Sequence, residues 1–344
     1  MKLSRRHRRE WRIFLIMSAL AAVVSAWFGY NVAPPERTTA QALISGVVNS
    51  LLIATPILLF ELMGSRPEPL RRLRRLPLLA YLGLKVLFYA VVILGGLTLA
   101  PFLMDFPDES LADETFGISL IFATAMSLSA NLVIEMGRLL GYGTLRSLLT
   151  GRYVQPHAEQ RVFLLIDMKG STTLAERLGA LRFHALLNDF FRDITEAALE
   201  CDGEIHKYVG DEAILTWPAG DALTGGDCLA CPFVARDLIA SNAGKYLARF
   251  GVVPEFRASL HCGEIVTGEI GDMRREIAHV GDTLNVAARL LEAAKELGRD
   301  VLVSADLLAA APLPAGLTVE PLPMLAVRGR EQPLAIAALN STGS

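Results

Sequence analysis

The first 135 residues alternate between long apolar segments and short polar loops. Each apolar segment supplies about 20 residues, enough for a helix to cross about 30 Å of hydrocarbon. We expect the first segment to be an uncleaved anchor, because no convincing small-residue cleavage site precedes Asn31-Val32, although a signal peptide is an alternative. The pattern predicts an α-helical membrane domain over residues 1–135 with four transmembrane helices, at about 11–30, 42–62, 78–102 and 116–135.

Beyond residue 160 short strands alternate with helices. RVFLLID predicts a buried strand, and LRFHALLNDFFRDITEAALE predicts a helix because its apolar residues recur at helical spacing. GEIHKYVGDEAILTW predicts two strands about a glycine turn, CPFVARDLIASNAGKYLARF a second helix, and FRASLHCGEIVTGEIG another strand pair. This order is typical of an α+β domain with a ferredoxin-like split βαβ sheet, whose helices cover one face while the other face can meet a partner.

Composition and charge indicate where in the cell the protein lies. A hydrophobic content of 52% and a mean hydropathy of +0.39 over 344 residues favour two units and exclude an ordinary soluble protein. Basic residues cluster within 2–12 and 66–75, whereas 105–114 is acidic, so the positive-inside rule places the N-terminus and the C-terminal domain in the cytoplasm. We therefore predict a multi-pass protein of the inner (plasma) membrane. Topology and the lipid bilayer explain the basic segments, and no nucleic acid partner is expected.

The linker and the polar membrane residues complete the domain plan. Residues 136–159 are interpreted as a cytoplasmic coupling linker that leads to a catalytic domain over 160–344. Glu61, Lys85 and Glu135 are interpreted as interfacial, whereas Asn49 and Asn131 lie deeper and are expected to hydrogen-bond between helices. Such sparse charge disfavours a transporter. A lipid, a quinone or another small apolar ligand of the membrane domain stays open, since no residue pattern identifies one.

Two carboxylates mark the candidate chemistry. Asp167 and Asp211 each stand where an apolar strand gives way to a glycine-containing turn. After Asp167, a helix start at Gly170, Ser171 and Thr172 offers backbone N–H groups to a phosphate. Magnesium is usually held by one or two carboxylates together with substrate phosphates. The pattern predicts a nucleoside triphosphate site and phosphoryl or nucleotidyl transfer.

A second motif lies downstream in GDTLNVAAR. Asn285 and Arg289 are four residues apart, so they share one helix face and can present an amide and a guanidinium to one ligand; a solvent-facing polar stripe is the alternative. Asp167 and Asp211 stand 44 positions apart (211 − 167), with Lys207 four residues before the second. Taken together, the C-terminal half of the chain resembles the class III adenylyl and guanylyl cyclases; the motifs are specific in combination, although each alone is weak.

That resemblance implies a metal-dependent reaction. Asp167, Asp211 and the backbone carbonyl of Met168 would hold two Mg²⁺ ions, with Mn²⁺ as a substitute. Asn285 would position the ribose and Arg289 would steady the α-phosphate. The expected reaction is attack of the ribose 3′ oxygen on the α-phosphate, which yields a cyclic nucleotide and pyrophosphate.

Further residues follow from the same resemblance. Arg328, with Arg330, would lie near the β- and γ-phosphates. The family builds its site across a head-to-tail pair of domains, so a homodimer is expected in which one protomer contributes the two aspartates and the other contributes Lys207, Asn285 and Arg289.

Base choice departs from the family pattern. Lys207 fits a purine-contacting residue of adenylyl cyclases, but the companion position, seven before Asn285, is Ala278, whose methyl group cannot hydrogen-bond a purine. His279 or backbone groups would have to compensate. We favour ATP and an adenylate cyclase that acts in signal transduction. A guanylate cyclase and a catalytically inactive cyclase-like receptor or dimerisation module are the alternatives.

Overall fold

The structure is a computed structural model that describes residues 5–35, 37–63, 76–104, 114–273, 275–326 and 333–342. It forms two compact units, His7–Tyr142 and one that contains Gly143–Ser344. The loop charges of 66–75 and 105–113, on which the predicted orientation depends, lie outside the described residues.

Four long helices make up the first unit, and this confirms the prediction of four apolar helices. Their stretches Trp11–Val32, Thr39–Glu61, Ala80–Leu103 and Glu114–Gly137 are long and apolar enough to cross a membrane. Many of their large apolar side chains face outward, as expected of helices that contact lipid. The helices are α1 (Arg5–Val32), α2 (Thr39–Met63), α3 (Leu78–Leu103) and α4 (Glu114–Leu140).

Glycines allow α1 and α2 to touch through their backbones. A Cβ added at Gly29 would stand 2.6 Å from the carbonyl oxygen of Ala42, and one at Gly46 would overlap the carbonyl oxygen of Ser25. Small residues at such contacts are typical of helix packing in membranes, where close approach maximises van der Waals contact. The α1–α2 pair is therefore closely packed at this level.

A buried polar cluster joins α2, α3 and α4. The Lys85 ammonium lies 2.8 Å from a Glu61 oxygen and 2.9 Å from a Glu135 oxygen. The Tyr89 hydroxyl donates to Glu61 at 2.6 Å, and the Asn131 amide donates to Tyr89 at 2.8 Å. Interhelical bonding by Asn131 is thus confirmed. Glu61 and Lys85 are buried inside the helix bundle, where they pair with each other instead of reaching solvent. Their level along the membrane stays a prediction.

Removing the cation of this cluster should destabilise the membrane unit. Lys85→Met leaves two carboxylates without their ammonium, and breaking a buried ion pair costs about 3–5 kcal/mol. We expect a clear fall in the melting temperature of the full-length protein in detergent, partly reversed by adding Glu61→Gln. Arg12→Met, at an exposed position of α1, is the control. Equal melting temperatures for Lys85→Met and the control would contradict a stabilising role.

The second unit is an α+β domain that begins after a short helix, α5 (Tyr142–Thr150). Its core follows the order strand, helices, two strands, helices, strand. The elements are β1 (His157–Met168), α6 (Ser171–Leu178), α7 (Ala180–Glu200), β2 (Glu204–Val209), β3 (Glu212–Pro218), α8 (Ala219–Gly225), α9 (Asp227–Ser241), α10 (Ala243–Phe250), β4 (Phe256–Ile270), β5 (Glu276–Val280), α11 (Asp282–Glu296), β6 (Val301–Ser304), α12 (Ala305–Ala310), β7 (Leu317–Pro321) and β8 (Ile336–Ser341).

The sheet has eight strands in the order β2-β3-β1-β4-β6-β8-β7, with β5 paired to β4. Its first four strands have the predicted split βαβ arrangement, and β1 is antiparallel to both β3 and β4. Two sequence predictions need correction. FRASLHCGEIVTGEI is one continuous strand, because Gly263 makes no turn but admits Thr283 at the start of α11, 2.7 Å from where a Cβ would stand. The predicted second helix ends at Ser241 and resumes at Ala243.

Both faces of the sheet carry helices. Alternate residues of β1, among them Leu164 and Ile166, belong to the main core with α7 and α9. Phe163 and Leu165 point to the other face and pack with residues of α11. The sequence led us to expect helices on one face only, with the other face able to meet a partner. Part of that second face is instead covered by α11, whose outer side becomes part of the exposed surface.

Candidate active site

The structure brings Asp167 and Asp211 together at one end of the central strands. Asp167 is the penultimate residue of β1, and Asp211 lies in the two-residue turn between β2 and β3. Gly210 begins that turn with φ of 62°, a backbone conformation typical of two-residue hairpins. The Asp167 carboxyl group lies close enough to Asp211 for the negative charge of Asp211 to act on it. The predicted acidic pair is thus adjacent in space.

Burial and a neighbouring negative charge raise the pKa of Asp167. Burial, followed by the negative charge of Asp211 and the hydrogen bond to it, raises the pKa of Asp167 from 3.8 to about 6. A third carboxylate, which the sequence did not single out, stands across from Asp167 on β3. Burial and the charges of both aspartates raise the pKa of Glu212 from 4.5 to about 7. Such mutual repulsion favours a bound cation.

The repulsion should be measurable as stability in metal-free protein. The raised pKa of Asp167 means that the folded state holds this proton more tightly than the unfolded chain, so stability falls as pH rises from about 4 to about 6. With EDTA present, Asp167→Asn should raise the melting temperature of the full-length protein by about 2–4 °C above that range and by nothing below it. Asp237→Asn, on the exposed side of α9, is the control. A pH-independent effect would contradict this electrostatic origin.

Cationic side chains offset part of the negative charge. Arg257 stands across from Asp167 in the β1–β4 register, and the positive charge of Lys295 on α11 also acts on Asp167. Both cations act to lower the pKa of Asp167, against the larger effects of burial and Asp211. The Arg257 Nε is buried and has no hydrogen-bond partner within the described residues. Neither cation was predicted from the sequence.

The predicted phosphate cradle follows directly after the acidic strand. Gly170 precedes α6 with φ of 65°, and Ser171 and Thr172 form the first turn of that helix. The first N–H groups of a helix have no intrahelical partners, and this first turn is not buried. Met168 ends β1, and its side chain lies in the main core. Its backbone carbonyl comes shortly before the amides of α6 along the chain.

Asn285 and Arg289 lie on the exposed side of α11. Val286 and Leu290, one position further along, are buried, which leaves the amide and the guanidinium on the solvent side. Arg289 makes an ion pair with Glu292 at 2.6 Å. Within the described chain, no hydrogen bond or ion pair joins Asn285 or Arg289 to the acidic pair. The structure of one chain therefore keeps the two predicted halves of the site without direct contact.

Lys207 is exposed on β2 and faces β5. Its ammonium lies 3.7 Å from the Glu276 carboxylate, two residues before Ala278 and therefore on the same side of that strand. His279 points elsewhere: its Nδ1 hydrogen-bonds the Thr267 hydroxyl at 2.8 Å, and its ring packs against Phe163 and His206. The structure therefore offers Glu276, rather than His279, as the polar neighbour of Lys207.

The remaining predicted groups are the late arginines and any further metal ligands. Arg328 and Arg330 lie outside the described residues. Among the described residues, no group of three or more His, Cys, Asp and Glu side chains has metal-ligating geometry. Protein carboxylates other than the Asp167–Asp211 pair are thus not arranged as further ligands there. A metal at this pair would take its other ligands from backbone, water or substrate.

Comparison with known proteins adds the relationships. The chain is 36% identical over 334 residues to "Adenylate cyclase 2" of Rhizobium meliloti (strain 1021), a match that covers 96% of this chain and 90% of that protein. It is 30% identical over 152 residues to "Adenylate cyclase 1" of the same strain, over 42% of this chain and 22% of that protein. A bacterial light-regulated adenylyl cyclase shares the fold, with a TM-score of 0.54 at 16% identity over 67% of each chain. No protein-family profile matches the chain.

Proposed function

The chain belongs to the class III adenylyl and guanylyl cyclases, and we propose that it is a membrane-anchored adenylate cyclase that makes 3′,5′-cyclic AMP and pyrophosphate from ATP in signal transduction. The observation that carries the chemistry is the proximity of two carboxyl groups, Asp167 at the end of β1 and Asp211 in the β2–β3 turn, at a strand end that leads directly into a helix N-terminus. Full-length similarity to an adenylate cyclase supports the same activity.

The acidic pair fits a divalent cation. Asp167 and Asp211 are half-buried, and the charge of Asp211 opposes ionisation of Asp167; a cation bound between them would remove this repulsion. We assign Mg²⁺, two ions per site with Mn²⁺ as a substitute, to Asp167, Asp211 and the carbonyl of Met168. When bound, such ions activate a hydroxyl nucleophile and neutralise charge on the phosphates.

The other groups of this chain position the nucleotide. The N–H groups at Gly170, Ser171 and Thr172 point out of a helix N-terminus, where they bind phosphate oxygens well. Asn285 orients the ribose, and Arg289 places positive charge where the α-phosphate becomes more negative during the reaction. Arg328 is assigned to the terminal phosphates by family resemblance alone.

A head-to-tail homodimer unites the two halves. Asn285 and Arg289 face solvent from α11, and within the described residues of one chain no hydrogen bond or ion pair joins them to the acidic pair. A second copy can bring its own α11 and Lys207 to the aspartates of the first, and the two-fold symmetry then yields two equivalent sites. The acidic half of each site comes from one protomer, and the ribose and base contacts come from the other.

ATP is favoured over GTP by the surroundings of Lys207. We assign Glu276 the role of the carboxylate that Ala278 lacks, because Glu276 lies on the same side of β5 and already contacts Lys207. A carboxylate accepts a hydrogen bond from the N6 amino group of adenine, whereas guanine presents an oxygen acceptor at the matching position and is repelled.

A nucleotide assay tests this assignment. Full-length protein with Mg²⁺ or Mn²⁺ should make cyclic AMP from ATP and much less cyclic GMP from GTP. Glu276→Ala should lower kcat/KM for ATP by about 10–100-fold, since it removes a charged hydrogen-bond partner, and should reduce discrimination against GTP. Glu296→Ala, at an exposed position of α11, is the control. Preference for GTP in the unchanged protein would identify a guanylate cyclase, and no product from either nucleotide would favour an inactive module.

Orientation and domain limits complete the proposal. The catalytic domain over 160–344 uses cytoplasmic ATP and therefore lies on the cytoplasmic side of the inner membrane, joined through the linker 136–159 to the anchor 1–135. The basic loops of the sequence support this orientation. Protease digestion of the catalytic domain in inside-out but not right-side-out vesicles is the expected result; the reverse pattern would overturn it.

A further inference from the structure

Residues of all four membrane helices line a partly open cavity of about 420 Å³. All residues that line it belong to the unit His7–Tyr142. Its volume lies within the range of sites that bind small organic molecules. Lining residues on the four helices include Phe28, Asn49, Ser50, Leu97, Phe122 and Ser127.

Most of the cavity wall is apolar. Phe28 and Phe122 stack with their ring centroids 3.8 Å apart and nearly parallel, and Ile53 and Leu97 are buried beside the cavity. Arg37 also lines it, but this guanidinium has an interaction partner within the protein. A charged occupant would lose its hydration among apolar side chains and lipid. The wall therefore favours a neutral molecule with a largely apolar body.

Asn49 lines the cavity, and one polar atom of its side chain has no partner among the described residues. Within the part of the chain that the structure describes, the Asn49 Oδ1 is buried and accepts no hydrogen bond. The comparable amide of Asn131 is bonded to Tyr89, so an unpaired Asn is not general in this bundle. A buried carbonyl oxygen without a donor is costly, and an occupant of the cavity that carries a donor would remove that cost.

We propose that this cavity binds a neutral amphiphile whose single hydroxyl or N–H group donates to Asn49 while its apolar body packs beside the stacked rings of Phe28 and Phe122. Alcohols, phenols and quinols of moderate size have this chemistry. Ile57 lines the same cavity, and Glu61 follows one helical turn later in the polar cluster. The site thus adjoins the ion pair that joins α2, α3 and α4.

Photolabelling of the full-length protein in nanodiscs tests the site. The probes are a diazirine-bearing medium-chain alcohol and the hydrocarbon analogue that lacks its hydroxyl. We expect the alcohol to label cavity-lining peptides saturably and the hydrocarbon to bind more weakly. Asn49→Leu should weaken alcohol binding by about 3–10-fold and leave the hydrocarbon unaffected. Asn31→Leu is the matched control, because the Asn31 side chain is exposed and donates a hydrogen bond to the Trp27 carbonyl of its own helix.

A second variant tests the site without changing Asn49, in case Asn49→Leu does not fold. Ala123 is buried on the cavity wall, so Ala123→Leu should reduce the cavity and displace both probes. Competition by unlabelled alcohol and by a short-chain diacylglycerol distinguishes a free amphiphile from the hydroxyl of a bilayer lipid. Equal labelling by both probes without dependence on Asn49 would mean that acyl chains merely fill a gap. Labelling confined to lipid-facing residues, or no saturable binding, would mean that the alcohol does not occupy the cavity and that water satisfies Asn49. Either this result or labelling independent of Asn49 overturns the proposal.

Discussion

Replacing Asp167 by alanine is expected to abolish measurable cyclic AMP formation. Asp167 and Asp211 form the acidic pair at the strand end beside the α6 amides, and removing one would leave the proposed cation with half of its assigned side-chain ligands. Loss of one preorganised electrostatic group at a transition state costs about 10²–10³-fold in kcat, and loss of metal affinity adds to it. The assay is initial cyclic AMP production by full-length protein at saturating ATP over a range of Mn²⁺ concentrations.

The matched control is Asp237→Ala, which removes an exposed carboxylate from α9 and should leave the rate unchanged. Melting temperatures should show that Asp167→Ala is folded, as expected when a repulsive charge is removed. A folded Asp167→Ala protein with near-normal kcat at every metal concentration would exclude the acidic pair as the metal site.

Mixing two inactive variants should restore activity if the site is shared between protomers. Arg289→Ala disables the contribution of α11, whereas Asp167→Ala disables the acidic contribution. A dimer of one copy of each has one intact site and one doubly deficient site. Random exchange of equal amounts places half of the chains in mixed dimers, so about one quarter of the unmutated activity should return.

A second mixture separates true sharing from other causes of rescue. Asp167→Ala and Asp211→Ala disable the same half of the site, so their mixed dimers have no intact site and should stay inactive. Recovery in both mixtures would point to contamination or to stabilisation by association. Failure of the Asp167→Ala and Arg289→Ala mixture, with subunit exchange demonstrated by cross-linking, would exclude the shared site and leave catalysis within one chain.

Sequence periodicity predicted most of the architecture, because hydrophobic length and alternation report directly on local structure. The four apolar helices and the strand order around RVFLLID follow from such patterns. The error at β4 has a spatial cause. Gly263 is typical of a turn in sequence, yet here it serves the close approach of Thr283, a residue 20 positions later (283 − 263). No local pattern contains that information.

The charged neighbours of the site show the same limit. Asp167 and Asp211 stand beside glycine turns and could be singled out, whereas Glu212 and Arg257 are ordinary strand residues until the sheet register places them beside Asp167. Lys85 was expected to reach the interface because its own helix contains no acidic partner for it. Its partners, Glu61 and Glu135, lie on other helices. Pairing between distant elements decides these environments, and a single sequence does not record it.

The glycine contacts of α1 and α2 determine which wall of the cavity can yield. At Gly29 and Gly46 backbone meets backbone, and such a contact cannot open by rotating a side chain. The α4 wall is built differently, from side chains such as Phe122 and Met126, which can change rotamer. An occupant that needs more room would therefore displace these α4 side chains before it separates α1 from α2, and α4 is the helix whose chain continues through Leu140 toward the second unit.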